Sequence, residues 1–164
     1  VEAVMGVMKT ILAIDPGPVE SGFVLWDGAH ILGYAKIHNN AVIHMLTDGI
    51  PPTFNDVLVI EKFVSYGMPI GQSTIDAIHW AGRFFQAWRG MLPHEVPRIE
   101  VKKHICNNGT ARDSNIRQAL IDRFEPDLPP RCRPRGILKG ITKDCWQALA
   151  LAVYWYDTNV TNPA

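Results

Sequence analysis

The sequence predicts an α/β domain built on one mixed sheet, an antiparallel three-strand meander plus parallel strands, flanked by helices. Three observations predict it. Two apolar runs, Thr10 to Ile14 and Val57 to Ile60, are rich in aliphatic residues, and each ends in an acid, Asp15 and Glu61. Between them, Gly22 to Trp26 and Ile31 to Ile37 flank Asp27-Gly28, a strong two-residue hairpin signal. Later in the chain, apolar residues recur at helical spacing over Ser73 to Trp88, Ser114 to Phe124 and Ile141 onward.

The elements follow in order. Met8 to Asp15 is the first strand, stopped by Pro16-Gly17, so Asp15 sits at a strand end where a sheet holds a carboxylate rigidly. Gly22 to Trp26 and Ile31 to Ile37 complete the meander, and Asn39 to Leu46 makes a short helix stopped by Asp48-Gly49 and Pro51-Pro52. Val57 to Glu61 is too continuous in apolar character for an edge, which places it beside the first strand in the sheet centre and brings Glu61 towards Asp15. A helix over Ser73 to Trp88 has Ser73 as its cap and Asp76 three residues on. Its stripe of Ile75, Ile78, His79, Gly82, Phe85 and Trp88 reads as core or subunit interface. Val96 to Val101 reads as a strand, and Ser114 to Phe124 as a helix capped by Asp113 or Ser114. The Pro- and Arg-rich interval from Glu125 to Gly140 is a loop. The last helix, Thr142 to Tyr156, carries Asp144 in its first turn and a small-residue face of Ala148, Leu149, Ala152 and Val153 that suits close packing on a sheet. The order is β-β-β-α-β-α-β-α-α.

Composition bounds the class. With 164 residues, 47% of them hydrophobic and 20% charged, the chain has one domain's length, 1–164, and enough apolar content for a sizeable core. No run of about eighteen apolar residues exists to span a membrane, and no signal-peptide pattern precedes Met8. Residues 1–7 are expected to be dispensable or disordered, since Met8-Lys9-Thr10 would be a natural start. Cys106, Cys132 and Cys145 are odd in number and lack CxxC spacing, so neither a disulfide frame nor a zinc site is expected, and a cytoplasmic setting fits. The formal net charge of zero hides an asymmetry: Arg83 to Lys143 carries 13 Lys and Arg against 6 Asp and Glu, and the remainder carries 3 against 10. One block can meet a polyanion while the other supplies carboxylates, the division of labour of a metal-dependent nuclease.

Asp15, Glu61 and Asp144, drawn together from different elements, would repel one another if bare, so such a cluster exists to hold hard divalent cations, Mg2+ or Mn2+. Two such ions roughly 4 Å apart can clamp the attacking water and the leaving oxygen of a phosphodiester.

These residues resemble a known family, the RuvC-like Holliday junction resolvases of the RNase H-like superfamily, particularly the phage-type members. The likeness is carried by Ile11-Leu-Ala-Ile-Asp-Pro-Gly17 with Gly22, by Val59-Ile-Glu61, by Val101-Lys102 with Asn108-Gly109-Thr-Ala111, and by Asp144-Cys-Trp-Gln-Ala-Leu-Ala150. It runs from about Met8 to Tyr156. The resemblance implies an RNase H-like fold and a homodimer that binds four-way DNA junctions. It implies two nicks in opposed strands, two Mg2+ (or Mn2+) per active site, and neither nucleotide cofactor nor membrane. Carried over, Asp15, Glu61 and Asp144 match catalytic carboxylates that bind metal, and Lys102 matches a lysine beside the cleaved phosphate. Where the family commonly has a fourth acid, three residues after Asp144, this chain has Gln147, a poorer ligand on the same helix face. Phe63 and Tyr66 match the position of an aromatic that unstacks bases at the junction centre. Lys103, Arg112, Lys143 and the loop residues Arg131, Arg133 and Arg135 are the further candidates for backbone phosphate contacts. Alternatives are an RNase H-like nuclease of RNA–DNA hybrid or RNA, and a non-catalytic junction-binding module. An ATPase of the actin and sugar-kinase type would need a second such domain.

Overall fold

The computed structural model describes residues 9–49, 56–142 and 144–161. Residues 1–7 and Lys143 lie outside that set, so the expectations placed on them do too. The first strand, β1 (Ile11–Asp15), lies at the centre of the sheet; Ile11, Leu12, Ala13 and Ile14 are all buried because both faces are covered. The chain returns antiparallel through β2 (Glu20–Trp26) and β3 (Ile31–His38). Asp27 closes the hairpin between them by accepting from the Ala29 and His30 N–H groups. A short helix, α1 (Asn39–His44), runs into a π-helical turn, Met45–Gly49.

The next strand, β4 (Val57–Lys62), then pairs parallel to β1, and β5 (His94–Pro97) parallel to β4, giving the order β3-β2-β1-β4-β5. This is the mixed sheet the sequence predicts.

Helices cover both faces. Leu12, Ile14, Leu58 and Ile60 pack on one side with Val42 of α1 and with Ala81 and Phe84 of α2 (Gln72–Ala87). Ile11, Ala13, Val57 and Val59 pack on the other with α3 (Arg98–Cys106), α4 (Asp113–Phe124) and α5 (Cys145–Tyr156). The central helix α5 is buried from Cys145 through Val153, and each large aliphatic removed from water there is worth about 1.5–3 kcal/mol. Its end is clamped in a further π-helical turn, Asp157–Thr161, where Asp157 accepts from Arg123 and lies 2.7 Å from His104 Nε2. Among the described residues, no helix is long and apolar enough to cross a membrane.

Several local expectations change, the first at the last helix, which begins at Cys145 and not at Thr142, so that Asp144 is its N-cap and not part of its first turn. Val96 to Val101 is not one strand: β5 ends at Pro97, whose fixed φ suits a helix start, and α3 follows at once. Ser73 lies inside α2, which Gly71 caps without a side-chain bond. Arg112, not Asp113 or Ser114, caps α4, and its N–H donates to the Asn115 side chain. On α2 the small residues Ala77 and Ala81 face inward with Phe84 and Trp88, leaving Ile75 and Ile78 exposed, so the expected stripe is mostly not core.

Candidate functional site

The strand end that carries Asp15 is held by a buried polar network. Asp15 closes β1, and Pro16 forces the chain out of the ladder because it has no N–H to donate. The turn that follows is tied at both ends: the Gly17 N–H donates to Ser21 Oγ (3.1 Å), Ser21 Oγ donates to Asn39 Oδ1 (2.6 Å), and Asn39 Nδ2 returns to the Gly17 carbonyl (2.9 Å). Ser21 and Asn39 are fully buried, so each bond matters more than a surface one would. Gly17 is needed because a Cβ there would run into the Glu20 carbonyl.

Register then sets the neighbours. Ile14 pairs with Ile60, which puts Asp15 and Glu61 on the next rung of two adjacent parallel strands. On the other side Asp15 pairs with Gly22, and a Cβ at Gly22 would sit 2.9 Å from the Asp144 carbonyl oxygen. The missing side chain lets the start of α5 approach the sheet, with Asp144 as its N-cap.

The electrostatics record this crowding. Burial, reinforced by the charge of Glu61, pushes the Asp15 carboxyl up to about 7, with Asp113 and Asp144 adding to it. Burial likewise raises Glu61, against the pull of Arg98. Two protein cations answer the acids. Arg98 lies 3.5 Å from Glu61 and donates to Asp113 at 2.7 Å, while Lys36 lies 3.2 Å from Asp144 and 3.7 Å from Glu20. The hydrogen bond to Asp144 raises the Lys36 pKa in turn.

Beside Glu61 opens a cavity of about 380 Å³, walled by Phe63, Tyr66, Thr74, Arg98, Lys102 and other residues. Lys102 comes from α3, one helical turn beyond Arg98, so the same helix face delivers both cations to the acids. Phe63 is shared between this cavity and the α2-side core, whereas Tyr66 is exposed at φ +40° in the turn before Gly67.

No family model matches the sequence, and no curated protein matches it. Solved structures do: a Thermus thermophilus RuvC structure aligns at 16% identity over 90% of this chain and 94% of that one, with a TM-score of 0.53. A second, T. thermophilus RuvC in complex with Holliday junction substrate, aligns at 15% identity over 89% and 92%, with a TM-score of 0.55. The chain has the RuvC fold.

Within that RuvC fold, the remaining residues distribute unevenly. Gln147, one turn after Asp144, is nine-tenths buried and lines a second cavity of about 380 Å³ with Asp113, Ser114, Arg117 and Trp146. Arg112 and Lys103 are exposed, at the N-cap of α4 and on α3. The loop arginines separate: Arg133 and Arg135 line a basic cavity farther along, and Arg131 is not among its walls. Arg98, Asp113 and Lys36 are site residues that sequence reasoning missed. Their contacts join positions 15 to 108 residues apart, and no local spacing announces them.

The oxygen donors of Asp15, Glu61, Asp144 and Gln147 suit a hard divalent cation. Burial first, and the neighbouring acids after it, hold the Asp15 carboxyl up. Among the described residues, however, no group of three or more His, Cys, Asp and Glu side chains is already gathered as a metal cage, and Arg98 and Lys36 are what the acids contact.

Proposed function

We propose that the chain is a divalent-metal-dependent endonuclease that resolves four-way DNA junctions, nicking opposed strands as a homodimer. The observation that carries this reading is Asp15, held at the end of β1 within electrostatic reach of Glu61 and Asp144, with Glu61 itself lining a cavity shared with Lys102, Phe63 and Tyr66. It is supported by the RuvC fold, which in one T. thermophilus structure is complexed with Holliday junction substrate.

In this reading Asp15, Glu61, Asp144 and Gln147 would hold Mg2+ or Mn2+, two ions per site. Bound there, such cations would supply Lewis-acid polarisation of the phosphate and activation of the attacking water. The chain's own residues do the rest. Asp15 loses the proton it holds up to about pH 7 and becomes a ligand. Lys102 holds the scissile phosphate at the cavity wall, and Lys103 and Arg112 steady the flanking backbone. Tyr66, exposed on its turn, stacks against a base opened at the crossover, with Phe63 lining the same cavity; base–aromatic stacking is worth about 1–3 kcal/mol.

The deciding experiment incubates the protein and Mg2+ with four-way, three-way, RNA–DNA hybrid and linear duplex substrates, scoring products on denaturing gels. Paired nicks in opposed strands of the four-way junction are expected, abolished by Asp15→Asn. Faster cleavage of the hybrid would transfer the assignment to an RNA-processing nuclease. Tight junction binding without cleavage in either metal would leave a binding module.

A further inference from the structure

Four cations gather in the wall of one cavity of about 740 Å³ beyond the catalytic acids: Arg117 of α4 with Arg133, Arg135 and Lys139 of the loop before α5. No acidic side chain lines it, and none of the four makes an ion pair among the described residues. All four are exposed and screened by solvent, so gathering them around one hollow depends on holding the chain that carries them.

The loop is built to do so. The Glu125 carboxylate, just past α4, accepts three backbone N–H groups, from Arg135 (2.9 Å), Gly136 (3.0 Å) and Leu138 (3.2 Å). Leu138 is buried in the core and anchors the same turn from the other side. Arg117 is set by its guanidinium lying over the Trp146 ring, 5.4 Å from the centroid. A segment whose composition reads as a flexible loop is pinned by a carboxylate staple and an apolar plug.

The hollow also joins the active centre. Arg117 and Trp146 wall both this cavity and the one containing Asp113 and Gln147, and Arg98 ties Asp113 to Glu61. Asp113 and Arg117 lie one turn apart on α4, about 6 Å along its axis.

We propose that Arg117, Arg133, Arg135 and Lys139 form a preorganised cradle for the sugar-phosphate backbone of a DNA arm leaving the cleavage centre, and that Glu125 is its positioning residue. The proposal rests on the nuclease reading for its substrate. It differs from simple charge attraction in one sign. Removing the Glu125 carboxylate adds net positive charge near the cavity, so a field effect alone tightens DNA binding; a staple that is lost lets the arginines disperse and weakens it.

The test measures junction affinity by fluorescence anisotropy across a salt series, in Ca2+ to separate binding from cleavage, with long-armed junctions and with junctions whose arms are cut to a few base pairs. Arg133→Ala/Arg135→Ala is expected to lower the magnitude of the salt slope by roughly 2, since each backbone phosphate contact contributes about 0.9. It should weaken long-armed junctions about tenfold and leave short-armed ones almost unchanged. Glu125→Ala is expected to weaken the long-armed complex in the same direction, with Glu125→Gln, which keeps one acceptor oxygen, falling between. Tighter binding by Glu125→Ala, or losses independent of arm length, would overturn the cradle. If Glu125→Ala does not fold by circular dichroism, the double arginine variant and Glu125→Gln decide alone. Failure of the nuclease reading looks different: the wild type would then bind without nicking or would prefer a hybrid, whereas failure of the cradle leaves junction cleavage intact.

Discussion

Asp15 concentrates the physics of the site in one residue. Its folded pKa of about 7 lies above the 3.8 of an ordinary aspartate, so folding favours the protonated carboxyl. The linkage follows: its contribution to stability is fully present below pH 3.8, is lost as pH rises through 7, and is then constant. Asp15→Asn removes the charge and keeps the shape. In metal-free buffer it should therefore be more stable than wild type at pH 8 by at least about 1 kcal/mol, or roughly 2–4 °C in Tm, with the difference vanishing near pH 3.8. Thermal melts across pH in EDTA measure this, and a wild-type Tm that rises with pH relative to the variant would show that Asp15 is not strained. Gln147 makes the complementary case. Gln147→Asp would bury a carboxylate in the cavity that Asp113 also lines, lowering metal-free stability by about 1–3 kcal/mol while tightening Mg2+ binding by calorimetry. An unchanged Mg2+ titration would remove Gln147 from the site.

At the scale of elements, what the sequence made legible was what local chemistry dictates. β1 and β4 announced themselves because apolar runs cut off by an acid have few readings, and their parallel pairing brought Asp15 and Glu61 onto one rung. α3 stayed hidden because Val96, Ile99 and Val101 carry β propensity, and Pro97 divides strand from helix where periodicity sees one apolar segment. The inward face of α2 was misread because Ala77 and Ala81 pack close to the sheet, an advantage of small side chains that a count of large apolar residues cannot register. Arg98, Asp113 and the Ser21–Asn39 network are tertiary facts, visible only once strands are in place. Gly22 tests how tightly two elements must meet. Alanine there would help a strand locally, by about 0.5–1 kcal/mol, but its Cβ would stand 2.9 Å from the Asp144 carbonyl, a backbone atom that cannot swing aside. Gly22→Ala should thus destabilise by about 1–3 kcal/mol and slow junction cleavage at least tenfold by displacing Asp144. Unchanged stability and rate would mean that α5 has room to spare.

Across the whole molecule, charge is segregated along the chain. The acids at the strand ends are answered locally by Arg98 and Lys36, and much of the basic excess of residues 83–143 lies on α3 and the stapled loop, while α4 is balanced in charge. On the nuclease reading proposed above, such a surface should bind any DNA at low salt through counterion release, with affinity falling by about three to five decades between 50 and 200 mM salt for 6–10 phosphate contacts. Branched DNA offers more. One chain carries one set of Asp15, Glu61 and Asp144, so two opposed nicks require two copies, and a dimer gripping diverging arms gains a fit to shape that linear duplex cannot supply. The expected result is that junction and linear duplex bind comparably at low salt, but that only the junction remains bound at physiological salt. Sedimentation should give two chains per junction. Equal affinities for branched and linear DNA at every salt concentration, or one chain per junction with full paired nicking, would rule out the dimeric resolvase.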